Sequence, residues 1–178
     1  MAAGSAGDHT RCDPQASAID LVLKLREVLE KSGVGNAIAL ARRAKDYPQL
    51  MLQAGFVPAT TYYLSKTDGS LYSELYKALR SKPTELHPKV KENLKKEASE
   101  EGKGYTIYLA LLAAWLSRYA ECNRGVKSLS SCINLGDVTY LAKCLLNLRE
   151  SGSELRVATV ARRFTTEVKK LVEAFYGE

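Results

Sequence analysis

DYPQLMLQAGFVPATTYYLSK, residues 46–66, is the stretch that decides the fold, because a helix end and a helix start lie within it only three residues apart. Gly55 follows a run of helix-forming residues, and glycine is the residue that most readily takes the left-handed backbone conformation after a helix. Pro58 fits the first turn of a new helix, since its missing N–H has no partner there. The segment predicts a helix, a tight corner and a second helix.

Helical periodicity continues on both sides of this corner, and no strand pattern interrupts it. Helices are predicted from Ser17 to Gly33, from Asn36 to Tyr47-Pro48, from Leu71 to Pro83, from Tyr105 to Cys122, and in two stretches after Gly136. The helix from Tyr105 is apolar on nearly every side, which is typical of the centre of a bundle with Trp115 as its core anchor. The sequence therefore predicts an all-α fold, a compact antiparallel helical bundle with additional C-terminal helices.

The length of 178 residues favours a single domain. Residues 1–16 are small and polar, and we expect a mobile N-terminal tail there. Residues 17–178 then form one helical domain. Within it, segment 82–104 is rich in Lys and Glu with a thin apolar stripe, which predicts an exposed charged helix or a partly mobile linker. Residues 126–178 are predicted to form a C-terminal helical extension.

The cysteines are widely spaced in sequence and include no C-x-x-C pair; they are Cys12, Cys122, Cys132 and Cys144. Metal sites favour closely spaced ligands, so we predict no metal and no cofactor, and we expect buried or idle thiols. A Cys122–Cys144 contact across neighbouring helices is the alternative in an oxidising environment or a hot-adapted organism. No apolar run reaches the length of a bilayer span and no secretion pattern is present, so we expect a cytoplasmic protein without membrane contact.

Catalytic motifs are absent from the sequence, which has no Gly-rich phosphate loop, no G-x-S-x-G and no H-E-x-x-H. His87 lies in a Lys-rich polar segment beside Pro88, where an exposed residue is favoured over a general base. We therefore expect no catalysis by this chain alone.

Charge is the remaining functional signal. Lys and Arg number 26 against 20 Asp and Glu, a net charge of +6. The excess is uneven and concentrates at Arg42, Arg43, Lys45, Lys66, Lys77 and Arg80. Such a surface can neutralise phosphates, although solvated helix faces explain the same pattern. Arg118, between Trp115 and Tyr119, can stack on a ring or pair with a carboxylate.

Three segments of the chain together resemble the Cmr small subunit, the small helical subunit of the type III-B CRISPR RNA-guided effector. They are the corner segment, the LYSELYKALR that follows it and the later YTIYLALLAAWLSRYAE. In that family a G-[LF]-x-x-[TA] corner closes on S-K, and a later Tyr-initiated helix carries W-L-x-[RK]-[YF]-A. The resemblance covers residues 36–121. The N-terminal tail, the Lys/Glu-rich segment and the helices after Asn123 depart from the shorter family pattern.

The resemblance implies a non-enzymatic protein of antiviral defence that stacks in several copies along a cytoplasmic ribonucleoprotein. Its implied partners are other subunits of the effector complex, the guide RNA, the target RNA and copies of itself. When this role is carried onto the present chain, the expected RNA contacts are Arg42, Arg43, Lys45 and Lys66, with Lys77 and Arg80 as outer candidates. Two alternatives stay open: a helical adaptor that binds protein without nucleic-acid contact, and an enzyme whose site is not visible in the sequence.

Overall fold

The computed structural model describes residues 11–81, 86–97 and 101–177, and these ranges are helical with no strand. The helices are α1 Pro14–Lys31, α2 Ile38–Ala54, α3 Phe56–Ser65, α4 Gly69–Arg80, α5 Pro88–Glu97, α6 Glu101–Cys122, a 3₁₀ helix Lys127–Cys132, α7 Val138–Glu150 and α8 Glu154–Tyr176. Their buried faces meet in a hydrophobic core, so the predicted all-α bundle is confirmed.

Helix α6 is the centre of this bundle, as its apolar sequence predicts. It packs against α1, α2, α3 and α4, and every residue from Lys103 to Ala120 is buried. The Trp115 ring stacks on Phe164 of α8 with centroids 4.9 Å apart. Trp115 is therefore confirmed as a core anchor, and it joins the central helix to the C-terminal one.

Segment 82–104 is less exposed than the charge pattern predicts. Leu86 and Leu94 are buried in the core. Lys103 is also buried, and its ammonium group donates to the carbonyl of Asn93. Gly104 lies against the backbone of Ala39, where any side chain would collide. The predicted thin apolar stripe on an exposed helix is therefore confirmed for Leu86 and Leu94. The prediction of an exposed segment is wrong for Lys103 and Gly104, because the start of α6 docks onto its neighbours; residues 82–85 and 98–100 lie outside the described ranges.

The N-terminal boundary at residue 16 is also wrong. Asp13 caps α1 by accepting the N–H of Ala16 at 2.7 Å, and Pro14 occupies the first turn, where a proline fits well. Ser17 is buried instead of capping the helix, and its hydroxyl donates to the carbonyl of Arg11. Residues 1–10 of the expected tail lie outside the described part of the chain.

Helix α2 continues through Pro48, where the sequence predicts a helix end. Proline cannot donate to the carbonyl four residues earlier, so the helix loses one hydrogen bond. Tyr47 and Met51 on either side of it are both buried in the core, and this packing holds the helix together. The corner is confirmed: Gly55 has φ of +95°, and α3 starts at the next residue with Pro58 in its first turn.

The C-terminal helices belong to the main core and do not form a separate extension. Helix α8 packs against both α1 and α2, and it buries Val157, Phe164 and Val172. Leu155 is the exception, since it is 78% exposed although the periodicity places it on the apolar stripe. The helices predicted over residues 126–178 are therefore present, and α8 packs into the core of the helical domain.

All four cysteines are paired, so the expectation of idle thiols is wrong. Cys12 is bonded to Cys122, which ties the chain ahead of α1 to the end of α6. Cys132 is bonded to Cys144, which ties the 3₁₀ helix to α7. The Cys122–Cys144 contact does not occur, because Cys144 faces the 3₁₀ helix and Cys122 lies beside Cys12.

Candidate nucleic-acid interface

Tyrosines from three helices meet near the start of α6. The ring of Tyr63 in α3 lies 5.0 Å from Tyr47 of α2 and 4.8 Å from Tyr105 of α6, both edge-on. Tyr62 lies 5.8 Å from Tyr105, also edge-on. Tyr47 and Tyr63 are buried, whereas Tyr62 is 46% exposed. The cluster therefore runs from the core to the surface and ends at Tyr62.

Arg43 packs on this cluster from α2. Its guanidinium carbon lies 4.3 Å from the centroid of the Tyr105 ring, within the range of a cation–π interaction. The same guanidinium donates to the Tyr105 hydroxyl at 2.8 Å and to Asp46 at 3.2 Å. With a side chain only 13% exposed, Arg43 places positive charge beside the rings but does not extend into solvent.

Lys66 approaches the cluster from the outside. It is exposed, and its ammonium nitrogen lies 5.9 Å from the centroid of the Tyr62 ring. We call the set Tyr62, Lys66, Tyr105 and Arg43 the Tyr62 patch. It presents a half-exposed Tyr62 ring with the Lys66 ammonium over it, and a second cation, Arg43, over the neighbouring Tyr105 ring.

Two further predicted cations lie on the outward face of α2. Arg42 and Lys45 are three residues apart, so they share one face of the helix, and both are exposed. Neither forms an ion pair with any residue that the structure describes. They place two further positive charges on α2, the helix that also carries Arg43.

The outer candidates lie elsewhere. Arg80 pairs with Glu121 near the end of α6, so its charge is compensated. Glu121 is 16 positions beyond Tyr105, about 24 Å along a helix that rises 1.5 Å per residue. Lys77 is exposed one turn before Arg80 on α4. The structure thus places Arg43 and Lys66 at the Tyr62 patch, Arg42 and Lys45 on the outward face of α2, and Lys77 and Arg80 on α4.

Tyr62 and Tyr105 were missed as site residues by the sequence reasoning, which places Tyr62 on the apolar side of α3. Adjacent helical residues point about 100° apart, so Tyr62 and Tyr63 cannot both face the core. That angle was the available signal. Which of the two is exposed depends on the position of α6, and local sequence does not contain that information.

Three buried tyrosine hydroxyls behind the Tyr62 patch stay neutral at physiological pH. Burial raises the pKa of Tyr47 and of Tyr108. Burial and then the charge of Asp46 raise the pKa of Tyr63. These three hydroxyls therefore add no negative charge behind the patch.

Comparison with known proteins returned no match: no family model, no curated protein and no solved structure matches this chain. Across the described ranges, His, Cys, Asp and Glu side chains form no group of three or more that could hold a metal ion. Within the same ranges, no helix combines the length and apolar character needed to cross a membrane.

Proposed function

We propose that this chain is a non-catalytic RNA-contacting subunit of a type III-B CRISPR effector complex in antiviral defence. The proposal rests on the sequence resemblance and on one structural observation. The half-exposed Tyr62 ring has the Lys66 ammonium over it at 5.9 Å and contacts the Tyr105 ring, on which Arg43 packs. Arg42 and Lys45 are exposed on the outward face of α2. The all-helical fold is also the one that the resemblance implies.

This arrangement suits a single strand of nucleic acid. An exposed aromatic ring offers a stacking surface for an unpaired base, and cations within one or two helical turns can neutralise the flanking phosphates. Contacts of both kinds are independent of base identity. The patch would therefore hold a strand in register while the base pairing of guide and target supplies sequence specificity.

The proposed partners are the guide RNA, the target RNA, other effector subunits and further copies of this chain. One copy offers few phosphate contacts, so its affinity alone is expected to be low. Copies arrayed along one strand raise the effective concentration for one another, and binding becomes strong only in the assembly. The proposed cytoplasmic location agrees with the two disulfides if the cell is hot-adapted, since intracellular disulfides are common in hyperthermophiles.

The proposal is tested by titrating labelled single-stranded RNA with the full chain at several salt concentrations. We expect the affinity to fall with salt, by a logarithmic slope of about 0.7 for each phosphate contact on a single strand. Replacing Tyr62 with Ala should cost about 1–3 kcal/mol of binding free energy, the range for one base stack.

Tyr140→Ala is the matched control. Tyr140 is 51% exposed and has Lys143 at 6.0 Å from its ring, but no second ring contact involves it in the described structure. Equal losses for Tyr62→Ala and Tyr140→Ala, or binding that does not respond to salt, would contradict the proposal.

A helical protein–protein adaptor without nucleic-acid contact is the second candidate. Ile19 and Leu23 are 44% and 51% exposed and lie one turn apart on α1, so they share an outward apolar face. An adaptor would lose its protein partner when both are changed to Glu, and it would bind no RNA. The RNA titration above separates the two candidates.

A further inference from the structure

A polar cleft lies between the start of α1 and the second half of α6. Its volume is about 280 Å³, and it is lined by Arg11, Ala16, Ser17, Asp20, Lys24 and Arg118. Three of these side chains are cations and one is a carboxylate, which leaves a net charge of +2 at neutral pH. The cleft is on the far part of α6 from Tyr105 and is distinct from the Tyr62 patch.

Arg118 forms the floor of this cleft. It is 5% exposed, and its Nη2 donates to Asp20 Oδ2 at 2.6 Å. The ammonium of Lys24 lies 3.4 Å from the same carboxylate oxygen. One carboxylate therefore serves two cations, and Arg11 adds a third that has no ion pair among the described residues.

Arg118 also retains donors for a ligand. A guanidinium carries five N–H groups, and Asp20 accounts for the hydrogen bond that Arg118 makes among the described residues. None of its nitrogens is both buried and unpaired. The remaining donors therefore open into the cleft, where water or a ligand can accept their hydrogen bonds.

The rim of the cleft is fixed in place. The buried hydroxyl of Ser17 donates to the carbonyl of Arg11 at 2.7 Å. The next residue, Cys12, is bonded to Cys122, which follows Arg118 by one turn of α6. The backbone of Arg11 is thus held at two points beside the cleft that its side chain lines.

We propose that this cleft binds a phosphate monoester or inorganic phosphate. Such a group carries a charge close to −2 at neutral pH and offers three or more acceptor oxygens, which match the +2 charge and the converging donors. A carboxylate carries only one charge, and Asp20 already supplies one. This inference does not rest on the proposed RNA function.

Isothermal titration of the full chain with inorganic phosphate and with adenosine 5′-monophosphate tests the site, and adenosine serves as the control ligand. We expect saturable binding of both phosphates and none of adenosine. Arg11→Gln and Lys24→Gln should each weaken binding by about three- to tenfold, since each removes one cation. Lys143→Gln, the same change at an exposed lysine of α7 outside both the cleft and the Tyr62 patch, should leave binding unaltered.

Asp20→Asn separates a ligand site from a purely structural ion pair. Removal of the competing carboxylate should tighten phosphate binding, and phosphate should raise the melting temperature of this variant more than that of the unmodified protein at matched ionic strength. A general salt effect would raise both equally. Absence of saturation, equal binding of adenosine, or no gain in Asp20→Asn would overturn the proposal.

The source of the phosphate is distinguished with one RNA strand prepared with a 5′-phosphate or a 5′-hydroxyl. The Tyr62 patch contributes equally to both, so the difference between them reports the cleft alone. Tighter binding of the phosphorylated strand, lost in Lys24→Gln, assigns the site to an RNA end. Equal binding of the strands together with saturable inorganic phosphate assigns it to a free phosphate compound.

Discussion

The carboxylate of Glu154, the first residue of α8, accepts the backbone N–H of Val57 in the first turn of α3 at 2.9 Å, although 97 positions separate them in the chain. Helix α3 has no side-chain cap of its own, because Gly55 occupies its N-cap position. A carboxylate is favoured there by the helix dipole and by the unpaired N–H groups of the first turn. Glycine is favoured beside it by the φ of +95° at position 55, and a Cβ there would also make the same carboxylate oxygen shift from its 2.9 Å approach.

Replacement of Glu154 by Ala should therefore lower the free energy of unfolding by about 1 kcal/mol, the usual effect of a lost N-cap. Glu154→Gln should cost less, because the amide oxygen can still accept the hydrogen bond from Val57. Urea unfolding followed by circular dichroism measures both variants. Glu150→Ala, an exposed carboxylate at the end of α7, is the control, and a loss as large as that of Glu154→Ala would refute the capping role.

Removal of the Cys12–Cys122 disulfide should lower the free energy of unfolding more than removal of the Cys132–Cys144 disulfide. The Cys12–Cys122 bond spans 110 positions, and loop closure of that length contributes about 4–5 kcal/mol. The Cys132–Cys144 bond spans 12, which corresponds to about 3 kcal/mol. Paired Cys→Ser variants, compared by urea unfolding, measure the two contributions.

Graded reduction provides a second readout of the same bonds. Cys12 and Cys122 are exposed, whereas Cys132 and Cys144 are fully buried, so the long-range disulfide should open first. Thiol labelling and mass spectrometry identify the sites that react. Free thiols in the untreated protein, or first labelling at Cys132 and Cys144, would contradict the pairing described above.

The central helix and the corner are predictable from sequence because their signals are local. A helix that is apolar on all sides is buried in the core, and α6 with Trp115 follows this rule. Gly55 and Pro58 act through backbone conformation, which neighbouring residues do not alter. In the site, the grouping of Arg42 with Lys45 is predictable for the same reason, since helical spacing sets it.

Features that depend on distant partners are not predictable in this way. The continuation of α2 through Pro48 depends on core contacts of Tyr47, including the contact with Tyr63. The positive charge of Arg80 is compensated by Glu121, which lies 41 positions away in the chain. The disulfide partners and the exposed position of Tyr62 likewise follow from how helices pack, which periodicity does not encode.

Acid should destabilise the protein through Asp20. Partial burial raises the pKa of this carboxyl, but the hydrogen bond and charge of Arg118 and the charge of Lys24 outweigh it, so the pKa lies below its ordinary value. The stabilisation is therefore complete above the unfolded pKa of about 3.9 and is lost as the pH falls through the lower folded value. Unfolding free energies measured across this acid range test the effect.

The Asp20→Asn variant isolates that contribution. It should lose about 1–2 kcal/mol near neutral pH, because the buried Arg118 can still donate to the amide oxygen but loses its counter-charge, while position 20 itself is half exposed. Its stability should then fall less steeply in acid than that of the unmodified protein. Glu173→Gln, an exposed carboxylate on α8, is the control; identical acid profiles for Asp20→Asn and the unmodified chain would refute the assignment.

Alkaline pH should ionise four buried tyrosines only as the fold opens. Burial raises the pKa of Tyr47, Tyr63, Tyr72 and Tyr108, so their neutral form is favoured in the folded state. The associated stability is present below the unfolded pKa of about 10 and is lost as the pH rises through the higher folded values. The last part of the rise in tyrosinate absorbance should therefore coincide with the loss of helical dichroism. A single phase completed before unfolding would contradict this burial.

Charge reversal at Arg42 and at Arg43 should give different results although the residues are adjacent. Arg42 is exposed, so Arg42→Glu should weaken RNA binding and reduce the salt slope by about 0.7, one phosphate contact, with the unfolding free energy unchanged. Arg43→Glu should also destabilise the fold, because the Arg43 guanidinium packs on the Tyr105 ring and donates to its hydroxyl. Anisotropy titrations and urea unfolding of both variants provide the measurements. Because Arg42→Glu changes charge without touching the core, unaltered RNA affinity in that variant would show that the outward face of α2 is not where the strand binds.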